Sequence, residues 1–190
     1  MTQPLISVLM PTINPIEGLR RALESIKKSA THFDAVQILL RVDDDNQQRI
    51  SELPELEKEF GVRAFIGPRG RGYIEMGQFI DDLMTLAKGR WCWLFDDDAW
   101  VEGDWQTQLE KIECGENGPA CNSEFYVLGQ SRYSNWPNSG PPGLIMPTVI
   151  CKKLKHSNPV DDQWLSIVRQ NNWPVQLLKG VSYFHDGRVR

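Results

Sequence analysis

The run Trp91-Cys92-Trp93-Leu94-Phe95-Asp96-Asp97-Asp98 constrains this chain more than any other stretch. Five apolar residues in a row read as a strand buried on both faces. The three carboxylates then fall at its C-terminal end, the edge at which open α/β sheets bind ligands. Adjacent anions repel one another, so such a cluster needs solvent or a cation to screen it. Hard oxygen donors suit Mg²⁺ or Mn²⁺. A cation held there can in turn carry a diphosphate.

Upstream, the chain alternates strand and helix signals. Ile6-Ser7-Val8-Leu9-Met10 is a β-prone run closed by Pro11-Thr12-Ile13-Asn14-Pro15. Leu19, Ala22, Leu23 and Ile26 then repeat at the spacing of one helical face. Residues 36–42 form a second apolar run, ending at Asp43-Asp44-Asp45-Asn46. A short helix is expected over residues 51–60 and a strand over 62–66, before the loop Gly67-Pro68-Arg69-Gly70-Arg71-Gly72. Ile80, Leu83, Met84 and Ala87 restore the helical spacing, and Gly89 is read as the end of that element. This order predicts an α/β fold in which a mostly parallel central sheet is flanked by helices. Beyond Asp98 the pattern is irregular. Residues 115–119 and 134–142 read as loops, 124–128 as a strand, 161–170 as a helix, and Tyr183-Phe184-His185 as the end of a last strand.

At 190 residues the chain suits one domain, with 41% hydrophobic and 24% charged residues, in the range of water-soluble globular proteins. No apolar run approaches the roughly 20 residues that span a bilayer, and the N-terminus lacks the pattern of a signal peptide. Four cysteines without a CxxC pair point to a reduced, cytoplasmic protein. A formal net charge of -4 and a pI near 5.4 argue against a general polyanion binder. Lys152, Lys153, Lys155 and His156 form the one basic cluster, read as a solvated turn.

In a parallel sheet, Pro11-Thr12, Asp43–Asp45 and Asp96–Asp98 all reach the same edge. There Asp43 can accept from a base N–H or a ribose hydroxyl, beside a cation at Asp98. The strand ending in Pro11-Thr12 with Asn14, the acids after Arg41-Val42, and the acids after Trp93-Leu94-Phe95 together resemble the nucleotide-sugar half of GT-A fold glycosyltransferases, especially the family 2 type. The resemblance spans roughly the first 105 residues. It implies a Rossmann-type donor half over 1–105, with 106–190 as a short acceptor-side segment of the same domain. It also implies transfer of a hexosyl or pentosyl group from a nucleotide-diphosphate sugar to an acceptor hydroxyl, with inversion, assisted by Mn²⁺ or Mg²⁺.

Carried over by position, the resemblance assigns Pro11, Thr12, Asn14, Asp43 and Asp45 to the nucleoside. Asp96 and Asp97 belong to the DXD motif beside the ribose and metal. Asp98 is the main metal ligand and His185 a late imidazole ligand. Glycines allow close backbone approach to phosphate and arginine offers a bidentate fork, so Arg71 is assigned to the diphosphate. Asp161-Asp162 before Trp164 is similar to the family's Glu-Asp motif, which makes Asp162 the general base. Two departures stand out. Asp45-Asn46 replaces the usual Gly-Ser, and Asp161 replaces Glu.

Other readings stay open. An acid run after a strand also serves as a solvated loop or helix cap, and Asp161-Asp162 as a cap. A nucleotidyltransferase would also use a metal among acids, and a non-catalytic sugar-nucleotide-binding module would need no base. The acceptor class (a glycan, a small molecule or a modified nucleic acid) is not specified by these residues.

Overall fold

Four strands and three helices alternate as expected up to the acid cluster of residues 96–98. The computed structural model describes residues 3–112, 120–127, 144–173 and 175–185. The strands are β1 (Ile6–Pro11), β2 (Val36–Asp43), β3 (Arg63–Gly67) and β4 (Trp91–Leu94). Between them run α1 (Ile16–Ser29), α2 (Gln47–Phe60) and α3 (Met76–Met84). After them come β5 (Ala99–Glu102), α4 (Trp105–Glu110), β6 (Ala120–Val127), β7 (Leu144–Pro147), α5 (Thr148–Cys151), α6 (Val160–Gln170) and β8 (Gln176–His185). The loops expected at 115–119 and 134–142, with Leu128, lie outside the described residues.

The eight strands form one sheet in the order β3-β2-β1-β4-β7-β6-β8-β5. β1 pairs in parallel with β2 and β4, and β2 with β3. β7 joins β4 antiparallel, β8 lies parallel to β6, and β5 closes the far edge antiparallel to β8. The parallel half therefore directs the C-terminal ends of β1, β2 and β4 to one edge, as the sequence predicts.

Burial follows the apolar pattern on both faces. On one side, Leu19, Ala22, Leu23 and Ile26 of α1 are fully buried with Val8, Leu40, Trp93 and Trp105. Each such large aliphatic side chain contributes roughly 1.5–3 kcal/mol. On the other, Ile80, Leu83 and Met84 of α3 meet Leu9, Leu39 and Cys92 of the sheet, with Trp164, Leu165 and Val168 of α6. A strand covered on both sides explains the unbroken apolar run at residues 91–95.

Three local expectations change. α2 starts at Gln47, not at Ser51, because Asn46 caps it by accepting from the Arg49 N–H at 3.0 Å. α3 stops at Met84, so Gly89 does not end it. Instead Gly89 packs against β1, where an added Cβ would lie 2.4 Å from Ile6 C and Ser7 N, and its N–H donates to Ser7 Oγ at 2.8 Å. The short β5, α4 and β7 were not evident in the sequence.

Candidate active site

The acid-bearing loop after β4 is built on Asp97. Its carboxylate, 1% exposed, accepts from the backbone N–H groups of Ile13 and Asn14 at 2.7 and 2.8 Å. Asn14 Nδ2 adds a third bond at 2.7 Å. Burial pushes the Asp97 carboxyl above its usual range, while these three donors pull it back. Asp97 and Asn14, both assigned to the donor by sequence, thus bond to each other and lock the β1–α1 loop to the β4 end. From the opposite side, buried Arg49 of α2 donates Nη2 to Asn14 O at 2.6 Å. Thr12 is also buried, its Oγ1 donating to Arg41 O at 3.1 Å.

Asp98 is also buried, whereas Asp96 is partly exposed. His185, the last residue of β8, stands opposite them through the β5–β8 pairing, Ala99 with His185. Its Nε2 lies 3.1 Å from Asp98 Oδ1 and 3.4 Å from Asp96 Oδ2. One ligand atom from each of the three residues falls within 4.8 Å of the others. Two carboxylate oxygens from the β4–β5 turn and an imidazole nitrogen at the end of β8 fit a divalent cation of the Mn²⁺ or Mg²⁺ type, the nitrogen favouring Mn²⁺. Below the group, the Tyr183 hydroxyl accepts from the Asp96 N–H at 3.1 Å. Burial and the Asp96 charge hold the Tyr183 phenol neutral, well above its ordinary range. Arg21 of α1 donates to Asp98 O at 3.3 Å and sits over Trp100, which stacks on Phe184. Trp105 is fully buried, with its Nε1–H on Ser29 Oγ.

At the β2 end, Asp43 is oriented by Arg41, a buried residue that the sequence reading passed over. Its guanidinium reaches Asp43 Oδ1 at 3.0 Å and Asp82 Oδ2 at 3.0 Å. Asp45 pairs with Arg69 at 2.8 Å, both exposed. Arg71, 75% exposed, is held by Glu75, whose Oε1 accepts from Nε at 2.9 Å and Oε2 from the Arg71 N–H at 2.7 Å. These bonds keep the Glu75 carboxyl below its usual range. The glycine of this loop has a steric purpose: a Cβ on Gly70 would fall 2.2 Å from the Phe79 ring.

Asp162 is exposed in the first turn of α6. The helix cap is Pro159, with no side-chain cap bond, so Asp162 is not an N-cap. The side chain of Asp161 lies outside the described part, as do residues 186–190. His156 does not belong to a basic face, because it is buried with Nδ1 2.6 Å from Asp81 Oδ1. Arg41 and Arg49 were hidden in the sequence because Asp82 and Pro68 reach the one, and Asn14 the other, from far along the chain. A charged residue inside a buried strand, as at Arg41, was the available signal.

The glycosyl transferase family 2 profile matches residues 7–156, which covers all the elements from β1 to α5. The chain belongs to glycosyl transferase family 2. Similar solved structures agree on the GT-A fold. S. aureus TarS 1-349 in complex with UDP-GlcNAc superposes with a TM-score of 0.76 at 14% identity, over 97% of this chain and 59% of that one. The same protein in complex with UDP gives 0.74 at 15% identity, over 94% and 59%. The chain therefore spans 59% of the length of these neighbours. No curated protein matches the sequence.

Proposed function

We propose that this chain is a glycosyltransferase that moves a hexosyl or pentosyl group from a nucleotide-diphosphate sugar to an acceptor hydroxyl, with inversion. The observation that carries this reading is the Asp96–Asp98–His185 group at the same sheet edge as Asp43. The family 2 match and the UDP-GlcNAc complex of a fold neighbour support a nucleotide-sugar donor. In this reading the first 105 residues bind the donor and residues 106–190 face the acceptor. The buried thiol of Cys92 fits a reducing cytoplasm, and no helix among the described residues is long and apolar enough to cross a membrane.

Pro11, Thr12, Asp43 and Asp45 border the nucleoside, with Asn14 and Asp97 fixing the loop beneath it. Arg71 leaves Glu75 to meet the diphosphate. Asp96, Asp98 and His185 would hold Mn²⁺ or Mg²⁺, which would supply neutralisation of the charge on the departing nucleoside diphosphate. Asp162 accepts the proton of the acceptor hydroxyl as its oxygen bonds to the anomeric carbon. The bond from that carbon to the phosphate oxygen breaks on the opposite side.

Titration of the protein with a panel of nucleotide-sugars, in Mn²⁺, Mg²⁺ or EDTA, tests the reading. Metal-dependent binding of one donor, lost in Asp98→Ala, supports it. Failure to bind any donor in either metal refutes it. A nucleotidyltransferase would instead select a nucleoside triphosphate.

A further inference from the structure

β2 is an interior strand, flanked on both sides, and carries a guanidinium that is 3% exposed. A buried charge persists where partners saturate it. Arg41 has four: Nε to Asp82 Oδ2 at 3.0 Å, Nη1 to Asp43 Oδ1 at 3.0 Å and to Val42 O at 2.6 Å, and Nη2 to Pro68 O at 2.6 Å. The group also lies 4.7 Å over the Phe79 ring. The site is built for this reach, since a Cβ on Gly67 would sit 3.2 Å from Arg41 Nη2. One rigid fork thus joins the end of β2, the Gly-rich loop and α3.

The consequence falls on Asp43. Its Oδ1 is taken by Arg41 and, at 3.4 Å, by the Gly70 N–H. Its Oδ2 has no hydrogen-bond partner among the described residues. We propose that Arg41 is a positioning residue for nucleobase selection: it turns Oδ2 of Asp43 to a base N–H and fixes the Gly-rich loop at one height above it. This rests on the nucleotide-sugar reading above. A carboxylate presented in this way only accepts, so it selects a base with an N–H on its pairing edge over one presenting a bare ring nitrogen. Lysine keeps the charge but lacks the planar fork, so it cannot hold Asp82, Asp43 and Pro68 O together.

The test measures Kd for a panel of nucleoside diphosphates, with Mn²⁺, on the full chain. It compares wild type, Arg41→Lys, Asp43→Asn and the double variant, and follows donor KM and kcat where turnover is measurable. Arg41→Lys is expected to raise Kd for the preferred nucleotide about tenfold and to narrow discrimination among bases, with kcat little changed. In the Asp43→Asn background the same change adds less than about twofold, because the two residues act as one unit. Should Arg41→Lys fail to melt cooperatively, Asp82→Asn carries the test, with an expected rise of about threefold. Wild-type binding with Kd and base preference unchanged in the folded variant overturns this inference alone. So does an equal loss with and without Asp43. A wild type that binds no nucleoside diphosphate overturns both this inference and the reading beneath it.

Discussion

Asp97→Ala is the most exposing perturbation of this site. Asp97 sits between two metal-site candidates in sequence, yet its carboxylate accepts three N–H bonds of 2.7–2.8 Å from the β1–α1 loop. A hydrogen bond to a charged acceptor nets about 1.5–3 kcal/mol, so three amount to roughly 5–9 kcal/mol gross. Burial of the carboxylate offsets part of this and pushes its pKa above the usual range. Removing the anion also relieves repulsion with Asp98. Truncation to alanine nevertheless leaves two backbone N–H groups without that acceptor. The net loss is expected to be about 3 kcal/mol, a large share of a typical 5–15 kcal/mol. Asp97→Asn retains one acceptor oxygen but turns its amide N–H₂ toward donors, at about 2 kcal/mol. Urea unfolding followed by tryptophan fluorescence reports this directly, since Trp91 and Trp93 are buried near the loop's base. An unchanged m-value shows that the native state, not the unfolded chain, was altered. A loss below about 0.5 kcal/mol for Asp97→Ala would refute the view that this carboxylate holds the loop.

Four other outcomes follow from the geometry. His185→Ala, like Asp98→Ala, should weaken Mn²⁺ binding by more than about tenfold by isothermal titration, with the melting temperature of the metal-free protein nearly unchanged. Asp162→Asn should retain donor binding while transfer to an acceptor falls about 10²–10⁴-fold; unchanged turnover would remove Asp162 from the chemistry. Glu75→Gln should tighten nucleoside diphosphate binding about two- to fivefold at low salt by freeing Arg71, an effect that fades as salt is added. Gly89→Ala should cost about 2 kcal/mol or more in urea unfolding, because the new methyl meets the β1 backbone, which has nowhere to go.

The first half of the chain was legible because its signals are local. The spacing of Leu19, Ala22, Leu23 and Ile26 marks one face of α1, and two apolar strands ending in acids point to one edge. What the residues do to one another was not legible. Asp97 reads as part of an acid run, and only the approach of Ile13 and Asn14 turns it into an anchor. Asn46 reads as the tail of an acidic loop, whereas a single bond to the Arg49 N–H makes it a helix cap. Arg41 reads as an interruption of a strand until Asp82 and Pro68 arrive from elsewhere in the chain. β5 and β7, at four residues each, are too short to display a period.

The place of β8 in the sheet carries a consequence for how the protein is made. β5 leaves the ribosome directly after Asp96–Asp98, yet its neighbour in the sheet is β8, residues 176–185. A nascent chain can close β1 to β4 around α1 and α3 while β5 still lacks its neighbour. His185 arrives at the end of that late strand, and Tyr183 brings its hydroxyl to the Asp96 N–H from the same one. The sheet edge at Pro11 and Asp43 can therefore take shape early in synthesis, whereas the Asp96–Asp98–His185 group waits for β8. A nascent chain halted before β8 would present Asp96 and Asp98 without His185, so the proposed metal group would be incomplete until β8 is in place.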